Sequence, residues 1–165
     1  MLHTLAVLVE NHPGVLIRVA GLFTRRGYNI DSLTVCETED PEISRMTIVV
    51  DGDYQVIAQV RSQLSKLVIV HAVMDLTTEN IVERELALVR VEIRPETRAA
   101  VLQTVEIFRG RVVDLGRNSV TVELTGVVAK IDAFVSAVTS YGLLELVRTG
   151  KVAVLRSDSK RQAMP

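Results

Sequence analysis

Tryptophan is absent from this 165-residue chain, and tyrosine and phenylalanine contribute three residues each. Cysteine occurs once, as Cys36, which excludes an internal disulfide framework and a cysteine-based zinc site and fits a reducing compartment. No apolar run approaches the ~20 residues of a membrane-spanning helix, so no membrane partner is expected. The opening Met1–Val9 stretch has neither a basic leader nor a small-residue cleavage site. It therefore reads as a strand rather than a signal peptide, and the cytoplasm is the expected location. Lysine and arginine (19) balance aspartate and glutamate (20) at a net charge of −1, without the basic footprint a nucleic-acid partner requires.

Catalytic groups are equally scarce. His3 and His71 fall in predicted strands and His12 in a turn, with no HExxH, CxxC, GxGxxG or Walker A pattern near them. Catalytic and metal-ligating residues are accordingly expected to be none. His3 and His71 are candidate neighbours if the first and last strands pair, and Cys36, mid-strand, is expected to be a small buried hydrophobe.

What is present is a 48% hydrophobic chain that must collapse, patterned twice in the same way. Leu5–Val9 is a short apolar strand ending in the turn cluster Glu10-Asn11-His12-Pro13-Gly14. Asn11 is a good helix N-cap type, and Val15, Leu16, Val19, Leu22 and Phe23 then repeat as a helical stripe stopped at Gly27. Strands over Tyr28–Thr38 and Ile43–Asp51 follow, then a helix bearing Val56, Ile57, Val60 and Leu64, then a strand near Leu67–Leu76.

The pattern restarts after Thr77. A strand is expected over Arg84–Ile93, a helix over Pro95–Arg109, a hairpin of Arg111–Leu115 with Ser119–Leu124, a helix ended at Gly142, and one or two strands in Leu143–Leu155. The fold class is α+β: two ferredoxin-like βαββαβ domains. The domains are placed at 1–77 and 81–156, with a linker at 78–80 and a flexible tail at 157–165. Arg26-Gly27-Tyr28-Asn29 aligns with Arg109-Gly110-Arg111-Val112 as a shared glycine stop.

Leu5–Val9 and Met46–Val50 are apolar at odd and even positions alike, so both faces of the central strands are expected to be covered. Helices meet one face; a second domain, another protomer or a partner must meet the other. These strands carry no aromatic residue, which excludes base stacking on the sheet.

The candidate site is the loop Asn11-His12-Pro13-Gly14-Val15-Leu16 together with Asn29. Helix-start N–H groups near Gly14, Val15 and Leu16 suit a carboxylate, and Gly14 lets it approach the backbone. Asn11 and Asn29 can donate and accept, as a zwitterion requires, while Val15, Leu16 and Ile30 offer an aliphatic slot. A capped helix and a turn asparagine account for the same residues without a ligand. The second half has Arg94-Pro95-Glu96 where the first has His12-Pro13-Gly14, and Val112 where the first has Asn29. It therefore lacks these features.

The run from Asn11 through Arg26-Gly27-Tyr28-Asn29-Ile30 to Val35 closely resembles the ACT domain of the small regulatory subunit of acetohydroxyacid synthase (acetolactate synthase). Ser44-Arg45-Met46-Thr47-Ile48 and Glu106-Ile107-Phe108-Arg109-Gly110-Arg111 also resemble that family. The resemblance implies a chain that is not catalytic alone. It implies a large catalytic subunit as partner, carrying thiamine diphosphate, magnesium and FAD, with no cofactor in this chain. It further implies activation of that partner, feedback inhibition by valine in branched-chain amino-acid (and isoleucine) biosynthesis, and a homodimer formed through ACT domains. Asn11, Gly14 and Asn29 match the family's effector-binding positions, with Val15, Leu16 and Ile30 beside them. A free-standing ACT-domain amino-acid sensor acting on another enzyme or a transcription complex is the alternative.

Overall fold

A computed structural model describes residues 1–157. The chain forms two compact units, one of Met1–Val82 with the chain from Lys151 onward, the other of Glu83–Gly150. The first unit runs β1 (Leu2–Glu10), α1 (Val15–Arg26), β2 (Ile30–Glu37), β3 (Ile43–Asp51), α2 (Tyr54–Leu64) and β4 (Val70–Asp75). Its antiparallel sheet has the order β2-β3-β1-β4, the βαββαβ arrangement expected. The second unit repeats it with β5 (Ile81–Glu92), α3 (Arg98–Ile107), β6 (Arg111–Leu115), β7 (Ser119–Gly126), α4 (Val128–Gly142) and β8 (Leu143–Arg148), in the order β6-β7-β5-β8. A last strand, β9 (Val152–Leu155), belongs to the first unit. Among the described residues no helix is long and apolar enough to cross a membrane. The tail expected over 157–165 lies, apart from Ser157, outside the described residues.

In the first unit, alternation sends Leu5, Val7 and Val9 of β1 and Met46, Ile48 and Val50 of β3 to the helix side. There they meet Val15, Val19, Leu22 and Phe23 of α1 and Ile57, Val60 and Leu64 of α2. Ala6, pointing the other way, packs with Leu76 and Ala153 against Met74, Ile81 and Leu155. Part of the second face is thus covered by the chain's own returning strand. Arg45 Nη2 donates to the Ala153 carbonyl at 2.8 Å, Lys151 N–H to Ser32 Oγ at 3.2 Å, and Arg156 N–H to the Asn80 carbonyl at 2.9 Å. A contiguous 81–156 segment therefore does not coincide with one compact unit, because residues 151–157 fold with the first.

The two halves end their first helix with the same hydrogen bonds but different residues. Gly27, at φ +69°, is the left-handed terminator of α1; its N–H donates to Thr24 and the Tyr28 N–H to Phe23. At α3 the Arg109 N–H donates to Glu106 and the Gly110 N–H to Val105, so Arg109, at φ +54°, takes Gly27's place. Gly110 corresponds to Tyr28, and Arg111 rather than Val112 to Asn29. The shared glycine misaligns the halves by one residue. Gly110 is kept small by packing: a Cβ there would stand 2.9 Å from Val122 and 3.2 Å from Val105.

Other departures also have local causes. β2 starts at Ile30 because the Tyr28 N–H closes the α1 cap, and β4 starts at Val70 because Leu67 and Val70 donate into the preceding turn. α3 starts at Arg98 because Pro95–Thr97 form a turn that Thr97 Oγ1 ties to the Arg94 N–H. Asn11 does not cap α1; Gly14 is the N-cap, without a side-chain bond. His3 and His71 are not neighbours: His71 lies beside the Leu8/Val9 bulge, about 17 Å along β1 from His3 at the strand rise of ~3.3 Å per residue. His3 is buried edge-on against Tyr54. Cys36 is exposed rather than buried, since β2 is an edge strand.

In the second unit the buried carboxylate of Glu85 accepts from Arg148 Nε (2.9 Å) and Nη2 (2.6 Å), and Arg148 Nη1 donates to Asp132 at 2.7 Å. Hydrogen bonds to these carboxylates raise the guanidinium above its ordinary pKa despite burial. Removing the cation leaves Glu85 unpaired in the interior, so Arg148→Ala should lower unfolding free energy by about 3–5 kcal/mol in urea denaturation. Arg109→Gly, which relieves a left-handed arginine, should raise it by about 1 kcal/mol in the same measurement.

Candidate functional site

The loop after β1 is shaped from a distance. Asn11 Nδ2 donates to Glu37 Oε1 (3.1 Å) and to the Pro41 carbonyl (2.7 Å), while Asn11 Oδ1 accepts from Ser44 Oγ at 3.0 Å. Its backbone N–H donates to the Glu42 carbonyl at 2.7 Å. Both amide hydrogens are therefore spent on the β2–β3 turn, and Asn11 acts on the loop as a brace. Glu37 and Ser44 lie 26 and 33 residues downstream, so no local spacing points to them.

Beyond the brace, Gly14 adopts φ +91° and opens α1 with no acidic residue in its first turn. A Cβ at Gly14 would meet nothing within 4 Å, so the approach is open. The first-turn N–H groups thus present the positive end of the helix with no side chain over them. His12 flanks this helix start. Its Nδ1 faces the Pro13 carbonyl at 3.0 Å and its Nε2 faces Glu10 Oε2 at 2.7 Å. With an acceptor at each nitrogen, the protonated ring can donate to both. The Pro13 carbonyl first and Glu10 second raise the His12 pKa above its ordinary value. Arg18 stands one turn further on.

Val15 is buried in the core, and its N–H donates to the His12 carbonyl at 3.4 Å. Leu16 is exposed at 45%, and Ile17 beside it at 77%. Ile30 is half-buried against the core cluster. Asn29 is exposed, its Nδ2 donating to Asp31 Oδ1 at 3.1 Å. The expected residues fall into two groups. Asn11, Gly14, Val15 and Leu16 stand at the start of α1, whereas Asn29 and Ile30 follow its end; the helix's 12 residues separate them by about 18 Å. Register agrees, because Ile30 pairs with Val50, and Val50 with His3 at the far end of β1 from Glu10.

In the second unit the turn before α3 carries exposed Glu96, and Arg111 stands at Asn29's structural position. Among the described residues no group of three or more His, Cys, Asp or Glu side chains is placed to hold a metal ion.

Residues 5–72 match a family described as the AHAS small subunit-like ACT domain, and residues 84–157 match the small subunit of acetolactate synthase. A probable acetolactate synthase small subunit from Archaeoglobus fulgidus is 54% identical over 160 residues, covering 97% of this chain and 100% of the relative. The chain belongs to the acetolactate synthase small-subunit family. The small subunit from Mycobacterium leprae is 47% identical over 154 residues, 93% of this chain and 91% of its own. The crystal structure of the small subunit from Thermotoga maritima matches with a TM-score of 0.88 at 42% identity, over 96% of this chain and 99% of that one. Membership assigns the βαββαβ unit containing Gly14 to the ACT type.

The raised His12 pKa means that folding favours the protonated ring. Its contribution is present below the unfolded-state pKa and is lost as pH rises through the folded one. An NMR titration should place His12 above the ordinary imidazole value. Glu10→Gln should lower the midpoint only in part, because the Pro13 carbonyl is the larger cause.

Proposed function

We propose that the chain is the regulatory, non-catalytic subunit of an acetolactate synthase, working in the cytoplasm. In this reading it binds the large catalytic subunit, raises its activity and makes it subject to feedback inhibition by valine in branched-chain amino-acid biosynthesis. Thiamine diphosphate, magnesium and FAD belong to that partner. The observation carrying the sensing role is the uncapped, acid-free start of α1 at Gly14, open to a ligand and flanked by His12. A carboxylate docks there on backbone N–H groups.

The 18 Å between Gly14 and Asn29 bears on stoichiometry. One amino acid cannot touch both groups in one chain, so a site that uses both takes the Gly14 loop from one protomer and Asn29 from its partner. A two-fold axis then makes two equal sites. Strand β2, at the sheet edge beside Asn29, and exposed Leu16 and Ile17 on α1 supply surface for such a dimer. Valine binding would favour one arrangement of the pair, with coupling to the catalytic subunit on the order of 1–3 kcal/mol. Leucine and isoleucine differ by one methylene, worth about 1–3 kcal/mol, and should bind more weakly rather than be refused.

Gly14→Asp puts a carboxylate where the ligand's belongs, in open space and at a φ that aspartate tolerates better than most residues. Assayed with the large subunit, it should abolish valine inhibition and keep activation. Normal valine sensitivity would refute the site, and failure to bind or activate a large subunit would favour the free-standing sensor.

A further inference from the structure

The face of the first sheet turned away from α1 and α2 carries a cavity of about 470 Å³, with Val152 and Ala153 of β9 in its wall. Across its floor runs the register row Cys36–Arg45–Leu8, with Thr34 opposite Thr47 in the next outward row. Arg45 is half-buried, and burial lowers the pKa of its guanidinium. Its Nη2 donates to the Ala153 carbonyl, yet among the described residues no carboxylate forms an ion pair with it. A cation drawn out of water without a counter-charge is costly, and it marks a place where an anion gains more than it would at the surface. A guanidinium has five donors in a planar fork, and one carbonyl leaves most of them for a carboxylate.

The remaining walls narrow the ligand. Leu8, Ile43 and Val152 are aliphatic, and the volume lies in the range of small-molecule sites. Glu37, Glu39 and Asp40 on the lining oppose negative charge in general, so an anion gains only where it pairs directly with Arg45, and a second charge has nothing to offset that repulsion. We propose that this cavity is a second ligand site, separate from the start of α1, which takes a small aliphatic monocarboxylate with its carboxylate on Arg45 and its hydrocarbon body against Leu8, Ile43 and Val152. Phosphates and dicarboxylates are disfavoured by the acidic lining.

Cys36, the chain's single cysteine, is exposed and lines the cavity, so its alkylation by neutral iodoacetamide reports occupancy in the full chain. 3-Methylbutanoate should slow alkylation saturably, whereas 3-methylbutan-1-ol and inorganic phosphate should leave it nearly unchanged. Arg45→Met should weaken the protection about tenfold or more, the usual loss for a hydrogen bond to a charged group. Val152→Trp, which fills the space from β9 and keeps Arg45, should remove protection while thermal melting shows the fold retained. Protection absent in the wild type, equal with the alcohol or phosphate, or unchanged in Arg45→Met overturns the site and leaves Arg45 as a brace for β9.

Discussion

Burial of β1 and β3 on both faces is the constraint from which the first unit follows. Their nine paired residues place Leu5, Val7, Val9, Met46, Ile48 and Val50 under two helices, while Ala6, Thr4 and Thr47 are buried on the opposite side. A two-layer sandwich covers one sheet face only. The chain meets the second face by crossing to the other unit and coming back, so that β9 lies over Ala6 and Arg45 is drawn inward to hold the Ala153 carbonyl. The desolvated arginine and the cavity beside it are consequences of that return.

The two ends of helix α1 are made differently. Gly14 starts it without a side-chain cap, leaving N–H groups exposed, and Gly27 closes it in a left-handed turn that delivers the chain to the edge strand β2. Asn11, tied to Glu37, Pro41 and Ser44, fixes the entry loop to the β2–β3 hairpin, so the loop's position is set by the sheet rather than by the helix it precedes. Because α1 is rigid and about 18 Å long, its two ends face different neighbours.

The second unit keeps the architecture with different residues at the corresponding places. Its helix cap repeats the hydrogen bonds of the first with Arg109 in the left-handed position, and its interior holds the Glu85–Arg148–Asp132 network instead of an open helix start. Hydrogen-bond geometry, which places Arg109 over Gly27, is a better guide to correspondence than the two glycines. Glycine served left-handed geometry in one half and close packing in the other.

The sequence by itself determined the element order, most element boundaries to within a few residues, the core faces and the exposed loop at Gly14. All of these follow from periodicity and local backbone chemistry, which act over one or two turns. The exposure of Cys36 and the separation of His3 from His71 were decided by tertiary structure. So were the brace on Asn11, the packing of β9, which pairs β5, against Ala6 of the first sheet, and the inward Arg45 without an ion-pair partner among the described residues. Each of these depends on partners from two to more than a hundred residues away, or on which side of a strand faces solvent, and short-range patterns carry no record of such meetings. The candidate site divides the same way: its backbone donors are legible where they stand, while the distance between Gly14 and Asn29 is a property of the folded helix.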